Sequence, residues 1–277
     1  MPVIALTQGM GSLSQDIAEQ LARELALSTL QHEVAERVAD KMHVPKSMIS
    51  RLRAGKAGPI ERLTADKASI AVFTAEEVLE TAARGNVVLR GWGATCLLRP
   101  VPHVPCIRVI RPFAKRVQWL MAELDIDDTE LAAAEITRSD HSNATRMHEQ
   151  FGVDWGDPVN FDLVLNTDRL SVDTCVQQIK VLLARPEFAE TEPSRARLKA
   201  MSLSAHVRAA LRTHADTREV DVTIESADGL VTLRGIVFSA GERAAAEQVA
   251  AAAAGVSGVD NQLRVMASSR LFTSAKT

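Results

Sequence analysis

What the chain has little of narrows its chemistry first. Only three cysteines occur in 277 residues, Cys96, Cys106 and Cys175, an odd set with no Cys-x-x-Cys pair. That pattern argues against a disulfide framework or a cysteine zinc site and fits a reducing compartment. The seven histidines are scattered without ligand spacing, so no metal centre built from side chains is expected. No stretch approaches the roughly 20 apolar residues of a membrane span, and no basic region followed by an apolar one opens the chain. The expectation is a cytoplasmic protein without a cleaved signal or a spanning helix. An excess of one charge is missing too: a net charge of -3 and a pI near 6.2 give no reason to expect nucleic-acid binding.

What is present starts at the N-terminal end. Val3 to Leu6 is a short apolar run suited to a buried parallel strand. Gly9, Gly11 and Ser12 permit a tight turn, and Ile17, Leu21 and Leu25 repeat at helical spacing. Strand, glycine loop and helix in that order outline a phosphate-binding loop, in which backbone N–H groups and a helix N-terminus hold an anion. The pattern Gly-x-x-x-x-Gly-Lys-Ser/Thr adds a lysine for charge and a hydroxyl for magnesium. With the helix starting near Ser12 to Ser14, those two neighbouring positions fall within about Ser14 to Asp16, the lysine's at about Ser14. The shape of an anion site is present and its cation is missing. Gly9, Gly11, Ser12, Ser14 and Asp16 are the candidate nucleotide-binding residues. Asp16 has two readings, a contact to magnesium or an acid in the first helical turn that offsets the dipole; the second is the better supported.

Further along, Asn86 to Arg90, Ile107 to Ile110 and Phe161 to Asn166 read as apolar strands, each followed by turn residues and a helical pattern. Short apolar strands alternating with helices imply a parallel sheet covered on both faces. Ligands of such sheets sit at the carboxyl ends of the strands, where the loops at Gln8 to Ser14, Arg90 to Gly93 and Arg111-Pro112 converge. Arg90 there is either a phosphate ligand or one half of a surface ion pair. Lys46 to Arg62 is basic, carrying Arg51, Arg53 and Lys56, and reads as a solvated helix and loop or as an arm beside an anionic substrate. Thr74 to Arg84 reads as a helix with Thr74 as its cap. Residues 186–200, with Pro186, Pro193 and three glutamates, read as a linker. Beyond it, residues 201–268 form an α-β-β-α-β pattern, with strict alternation in Glu219 to Glu225 and a turn at Asp228-Gly229, and 269–277 read as a disordered tail.

Two resemblances rest on longer blocks. Gly11-Ser12 followed by Asp16-Ile-Ala, Leu89-Arg-Gly-Trp-Gly-Ala, the helix bearing Arg116, and above all Phe151-Gly-Val-Asp-Trp-Gly-Asp-Pro with Phe161-Asp-Leu-Val-Leu-Asn-Thr-Asp-Arg-Leu are similar to the cytidylate-kinase-like family. That likeness covers residues 1–185 and implies a P-loop kinase-like domain, ATP and a nucleoside monophosphate as substrates, magnesium, and a lid over the phosphates. The family loop resembles Gly-Ser-Gly-Gly, and Leu13 and Ser14 stand where its later glycines belong. Its lid resembles Asp-Arg-x-Arg, and this chain reads Asp140-His-Ser-Asn, leaving Arg138 and Arg146 as lid cations beside Arg90. An acidic residue after the first helix falls at Gln31. From Leu203 to Val265, Val220-Asp-Val-Thr-Ile, Asp228-Gly-Leu-Val-Thr-Leu-Arg-Gly-Ile-Val and Gly255-Val-Ser-Gly-Val-Asp-Asn resemble a BON domain. That implies contact with phospholipid surfaces or hydrophobic ligands and association between copies, as in a homo-oligomer.

The expected fold is therefore α/β, a P-loop kinase-like parallel sheet with helices on both faces, plus a small α+β BON domain. Two functions stand open. One is phosphoryl transfer from ATP to a nucleoside monophosphate such as CMP, with catalytic Arg90, Arg138 and Arg146. The other is a non-catalytic pseudokinase adaptor acting through its BON domain.

Overall fold

A computed structural model describes residues 1–30 and 33–266. The elements run in the order β1 (Val3–Gln8), α1 (Ser14–Leu25), β2 (Ser28–Leu30), α2 (Glu33–Met42), α3 (Lys46–Arg53), α4 (Pro59–Thr64), α5 (Lys67–Arg84), β3 (Val87–Arg90), α6 (Ala94–Leu97), β4 (Cys106–Ile110), α7 (Phe113–Leu124), α8 (Thr129–Phe151), β5 (Leu163–Asn166), α9 (Val172–Leu183), α10 (Glu192–Thr213), β6 (Thr223–Ala227), β7 (Leu230–Val237), α11 (Ala240–Ala252) and β8 (Gly258–Val265). They form two compact units, divided between Leu198 and Lys199.

The first unit is built on a five-stranded sheet in the order β2-β3-β1-β4-β5, with every pairing parallel. The central strand β1 is buried from Val3 to Thr7, which is why its sequence is apolar without alternation. Ile17 and Leu21 of α1 pack with Ile4, Leu6, Ile107, Val109, Cys175, Val176 and Ile179 into one core. Burying side chains of this size contributes roughly 1.5–3 kcal/mol each, so this core fixes where β1 ends and α1 begins. The phosphate-type loop thus lies at the carboxyl end of the middle strand.

The second unit has β6 antiparallel to β7 and β7 parallel to β8. Ile224, Val231, Leu233, Val237 and Leu263 face Val207, Leu211, Ala246 and Ala250 in its core. The small alanines of α11 allow the helix to lie close on the sheet.

Several boundaries differ from the expectation. The helix expected to start at Thr74 begins at Lys67, because the Asp66 side chain accepts the Ser69 N–H at 2.9 Å and caps it; Thr74 is buried mid-helix. The stretch expected as a linker holds a 3-10 turn at Pro186–Phe188 and the first turns of α10. Strand β2 is three residues long and gave no apolar run to find. The expected tail at 269–277 lies outside the described residues.

Candidate functional site

The loop between β1 and α1 is shaped from below by α7. A Cβ on Gly9 would come within 2.8 Å of Arg116 Nη1, and one on Gly11 within 2.9 Å of the Trp119 ring. Gly11 also has a φ of +76, open to glycine and strained for other residues. Gly11 is therefore required by its conformation and by the helix packed against it, whereas at Gly9 the nearest atom is the movable end of the Arg116 side chain. Leu13 is the N-cap of α1 with a φ of 61, again left-handed, and it makes no side-chain capping bond. The first N–H groups of a helix have no partner within it, so the start of α1 presents donors and the positive end of its dipole without a side-chain cap. The Ser12 and Ser14 hydroxyls are buried and have no hydrogen-bond partner.

A cavity of about 440 Å³ opens on this loop. Leu13 lines it without filling it, alongside Gln8 to Asp16 and the side chains of Arg53, Arg90 and Arg146. These three arginines arrive from α3, the end of β3 and α8. Arg53 lies flat on the Trp92 indole, 3.4 Å from the ring centroid. Arg146 donates to the Arg53 carbonyl at 3.1 Å and to Asn143 Oδ1. Arg90 reaches Gln15 Oε1 at 3.5 Å. No ion pair joins any of the three to a carboxylate among the described residues. Desolvation, with repulsion from Arg146 and Arg90, holds the Arg53 guanidinium well below its usual pKa. Arg146 and Arg90 are lowered as well, by loss of hydration. Three partly dehydrated cations without a direct ion pair, of which Arg90 alone feels Asp16 and Glu19 from beyond pairing distance, favour an anion between them. The turn carrying Trp92 is left-handed at three successive residues, with φ of 78, 58 and 71 at Gly91, Trp92 and Gly93. For Trp92 that conformation costs on the order of 1–3 kcal/mol, and it sets the indole beneath Arg53.

A second, smaller cavity of about 170 Å³ is lined by Gly9, Ser12, Arg108, Ile110, Arg111, Arg116, Asp140 and Trp155. Arg116 and Asp140 form a two-pronged ion pair at 3.0 and 2.7 Å that joins α7 to α8. Arg108 donates to the Trp155 carbonyl and lies over its ring at 4.4 Å, while the indole N–H bonds Thr7 Oγ1 at 3.0 Å.

The expected site residues separate on this geometry. Gly9, Gly11, Ser12, Ser14, Asp16, Arg90 and Arg146 all line the larger cavity. Asp16 is its one carboxylate among the described residues and is exposed at the rim. Arg138 is not among the lining residues: it is half exposed and paired with Glu135, which also holds Lys56 at 2.6 Å. Among the lid positions, Asp140 holds Arg116, His141 is exposed, and Asn143 orients Arg146. Gln31 lies outside the described residues. Sequence reading missed Arg53 and Trp92 as site residues. The basic run around Arg53 was the available signal, but nothing in it separated Arg53 from Arg51, which pairs with Glu61. No group of three or more His, Cys, Asp or Glu able to hold a metal occurs among the described residues. No helix there is long and apolar enough to cross a membrane.

Comparison with known proteins matches residues 3–169 to the cytidylate kinase-like family and residues 202–267 to the BON domain. A cytidylate kinase from Staphylothermus marinus is 28% identical over 137 residues, which is 50% of this chain and 76% of that protein. Among solved structures, an uncharacterized protein from Eubacterium ventriosum superposes with a TM-score of 0.53 at 16% identity, covering 67% of this chain and 100% of that one. A shikimate kinase from Bacteroides thetaiotaomicron gives a TM-score of 0.42 at 15% identity over 66% of this chain and 99% of that one.

Proposed function

The chain belongs to the cytidylate kinase-like family, and from that premise we propose that its first unit binds nucleotides and transfers a phosphoryl group from ATP to a nucleoside monophosphate, CMP being the first candidate. The observation that carries this reading is the convergence of Arg53, Arg90 and Arg146 on the phosphate-type loop, none of them in a direct ion pair with a carboxylate of the described residues. Phosphoryl transfer asks little covalent chemistry of a protein; positioning and charge stabilisation account for most of the catalysis. An oxygen of the acceptor phosphate attacks the γ-phosphorus while the bond to the β–γ bridging oxygen breaks, giving a nucleoside diphosphate and ADP. The three arginines would hold the acceptor phosphate and spread the charge that develops on the migrating group. The N-terminus of α1 would hold the donor phosphates, and the Trp92 face fixes the Arg53 fork.

Magnesium uses few protein ligands in such sites, often one carboxylate plus substrate phosphates. Asp16 at the rim fits that role. When bound, the ion would neutralise charge on the transferring phosphates. Production of the diphosphate from ATP, magnesium and each monophosphate in turn, compared with an Arg53→Met/Arg90→Met double variant, tests this reading.

A second reading concerns residues 202–267 and is favoured by one surface. Ile236 is 63% exposed and Phe238 74% exposed along one end of β7, with Met266 beyond β8. Ile236 stands opposite Arg264 in register. An apolar patch beside a cation fits the interface of an anionic phospholipid surface. The protein should float with anionic vesicles, and Phe238→Glu should abolish flotation while leaving nucleotide turnover unchanged. Flotation unaffected by Phe238→Glu would rule this surface out.

A further inference from the structure

The loop lacks the lysine that loops of this shape use against the donor phosphates, and the position falls at Ser14. A guanidinium nevertheless sits against the loop from another element. Arg111, immediately after β4, lines the smaller cavity with Gly9 and Ser12. Its Nη1 points at the Gly11 carbonyl at 3.5 Å, at the outer limit of a hydrogen bond. Its Nε is buried and has no hydrogen-bond partner. A buried donor left without a partner is costly unless a ligand or water completes it. The neighbouring charges do not complete it. Asp140 is engaged by both prongs of Arg116, and Arg108 is committed to the Trp155 carbonyl and ring. The loop flank therefore holds a positive charge whose Nε is unfilled, in a cavity that shares Gly9 and Ser12 with the one lined by Arg53, Arg90 and Arg146.

Building on the nucleotide reading above, we infer that Arg111 supplies the cation the loop lacks, binding the polyphosphate of the donor nucleotide while Arg53, Arg90 and Arg146 bind the acceptor phosphate. A guanidinium reaching in from the end of β4 replaces an ammonium rising from α1. Its planar fork meets two phosphate oxygens where a lysine meets one.

Calorimetric titration of the full chain with ATP, with inorganic tripolyphosphate and with CMP separates the two subsites. Arg111→Met is expected to weaken ATP and tripolyphosphate about tenfold or more and to leave CMP unchanged. A lysine restored at its usual position, Ser14→Lys in the Arg111→Met background, is expected to recover most of the lost ATP affinity, which a merely structural defect would not allow. Arg111→Lys, which keeps the charge, serves as the check on folding and should bind ATP more tightly than Arg111→Met. ATP binding by Arg111→Met equal to wild type overturns the assignment and leaves the nucleotide reading intact. A loss that neither lysine recovers makes Arg111 structural and also overturns it. A wild-type chain that binds none of the three ligands removes the nucleotide reading itself.

Discussion

At the scale of single residues, the most informative position is Leu13. Its φ of 61 lies in the region glycine occupies freely, and a branched side chain there costs on the order of 1–2 kcal/mol. Leu13→Gly relieves that strain at the expense of a more flexible unfolded chain, a counter-effect of about 0.4–1 kcal/mol. The net expectation is stabilisation by up to about 1 kcal/mol, read as a rise in the urea midpoint with unchanged slope. Combined with Ser14→Gly it should also tighten nucleotide binding; unchanged affinity would show that the loop is not the limiting defect. Leu13 was legible in the sequence as a misfit, since a glycine loop followed by a branched residue breaks the pattern. Arg53 was not, because its distinction from Arg51 is spatial: one lies on a tryptophan over a cavity and the other meets Glu61 at the surface. The need for Gly11 was legible, but its cause was legible only in part. A tight turn was the apparent reason, and the Trp119 ring of α7 against it is one the sequence could not reveal.

At the scale of elements, Arg53 is only as well placed as α3, and α3 depends on how α2 is anchored. Glu76 and Glu77 are buried on α5, and Lys41 of α2 lies between them at 2.7 and 2.9 Å, with Arg37 on Glu77 at 2.8 Å. The glutamates raise the Lys41 pKa despite the burial that opposes its charge. Glu77→Ala removes the shared carboxylate, leaves Arg37 and Lys41 with fewer partners, and should destabilise the chain by about 2 kcal/mol in urea unfolding. A loss below 0.5 kcal/mol, the range of ordinary surface changes, would mean that packing alone anchors α2. The periodic patterns located α1, α9 and the central strands because apolar spacing alone decides such elements. They misplaced the start of α5, where a side-chain cap at Asp66 overrides a plausible cap at Thr74, and they missed β2, whose pairing with β3 is supplied by the sheet.

At the scale of the whole molecule, two compact units carry two different chemistries. A basic cavity lies at the carboxyl ends of a parallel sheet, and an apolar patch lies on a small three-stranded one. The architecture was legible because parallel, fully buried strands and alternating, half-buried strands write different patterns along the chain. The cation set was legible only in part: Arg90, Arg146 and the loop of Arg111 were, while Arg53 was not, because the four are far apart in sequence and are gathered by topology. The general phosphate-loop pattern suggested lost charge at Ser14 and the family's lid at His141 and Asn143; the fold brings guanidiniums from several elements to the same loop. The measurement that tests this account most directly is turnover of ATP and a nucleoside monophosphate by the wild type beside the Arg53→Met/Arg90→Met variant. Diphosphate formation that falls by about 10²-fold or more in the variant is the predicted result. No diphosphate from the wild type with any monophosphate, or equal rates from the two proteins, would contradict it.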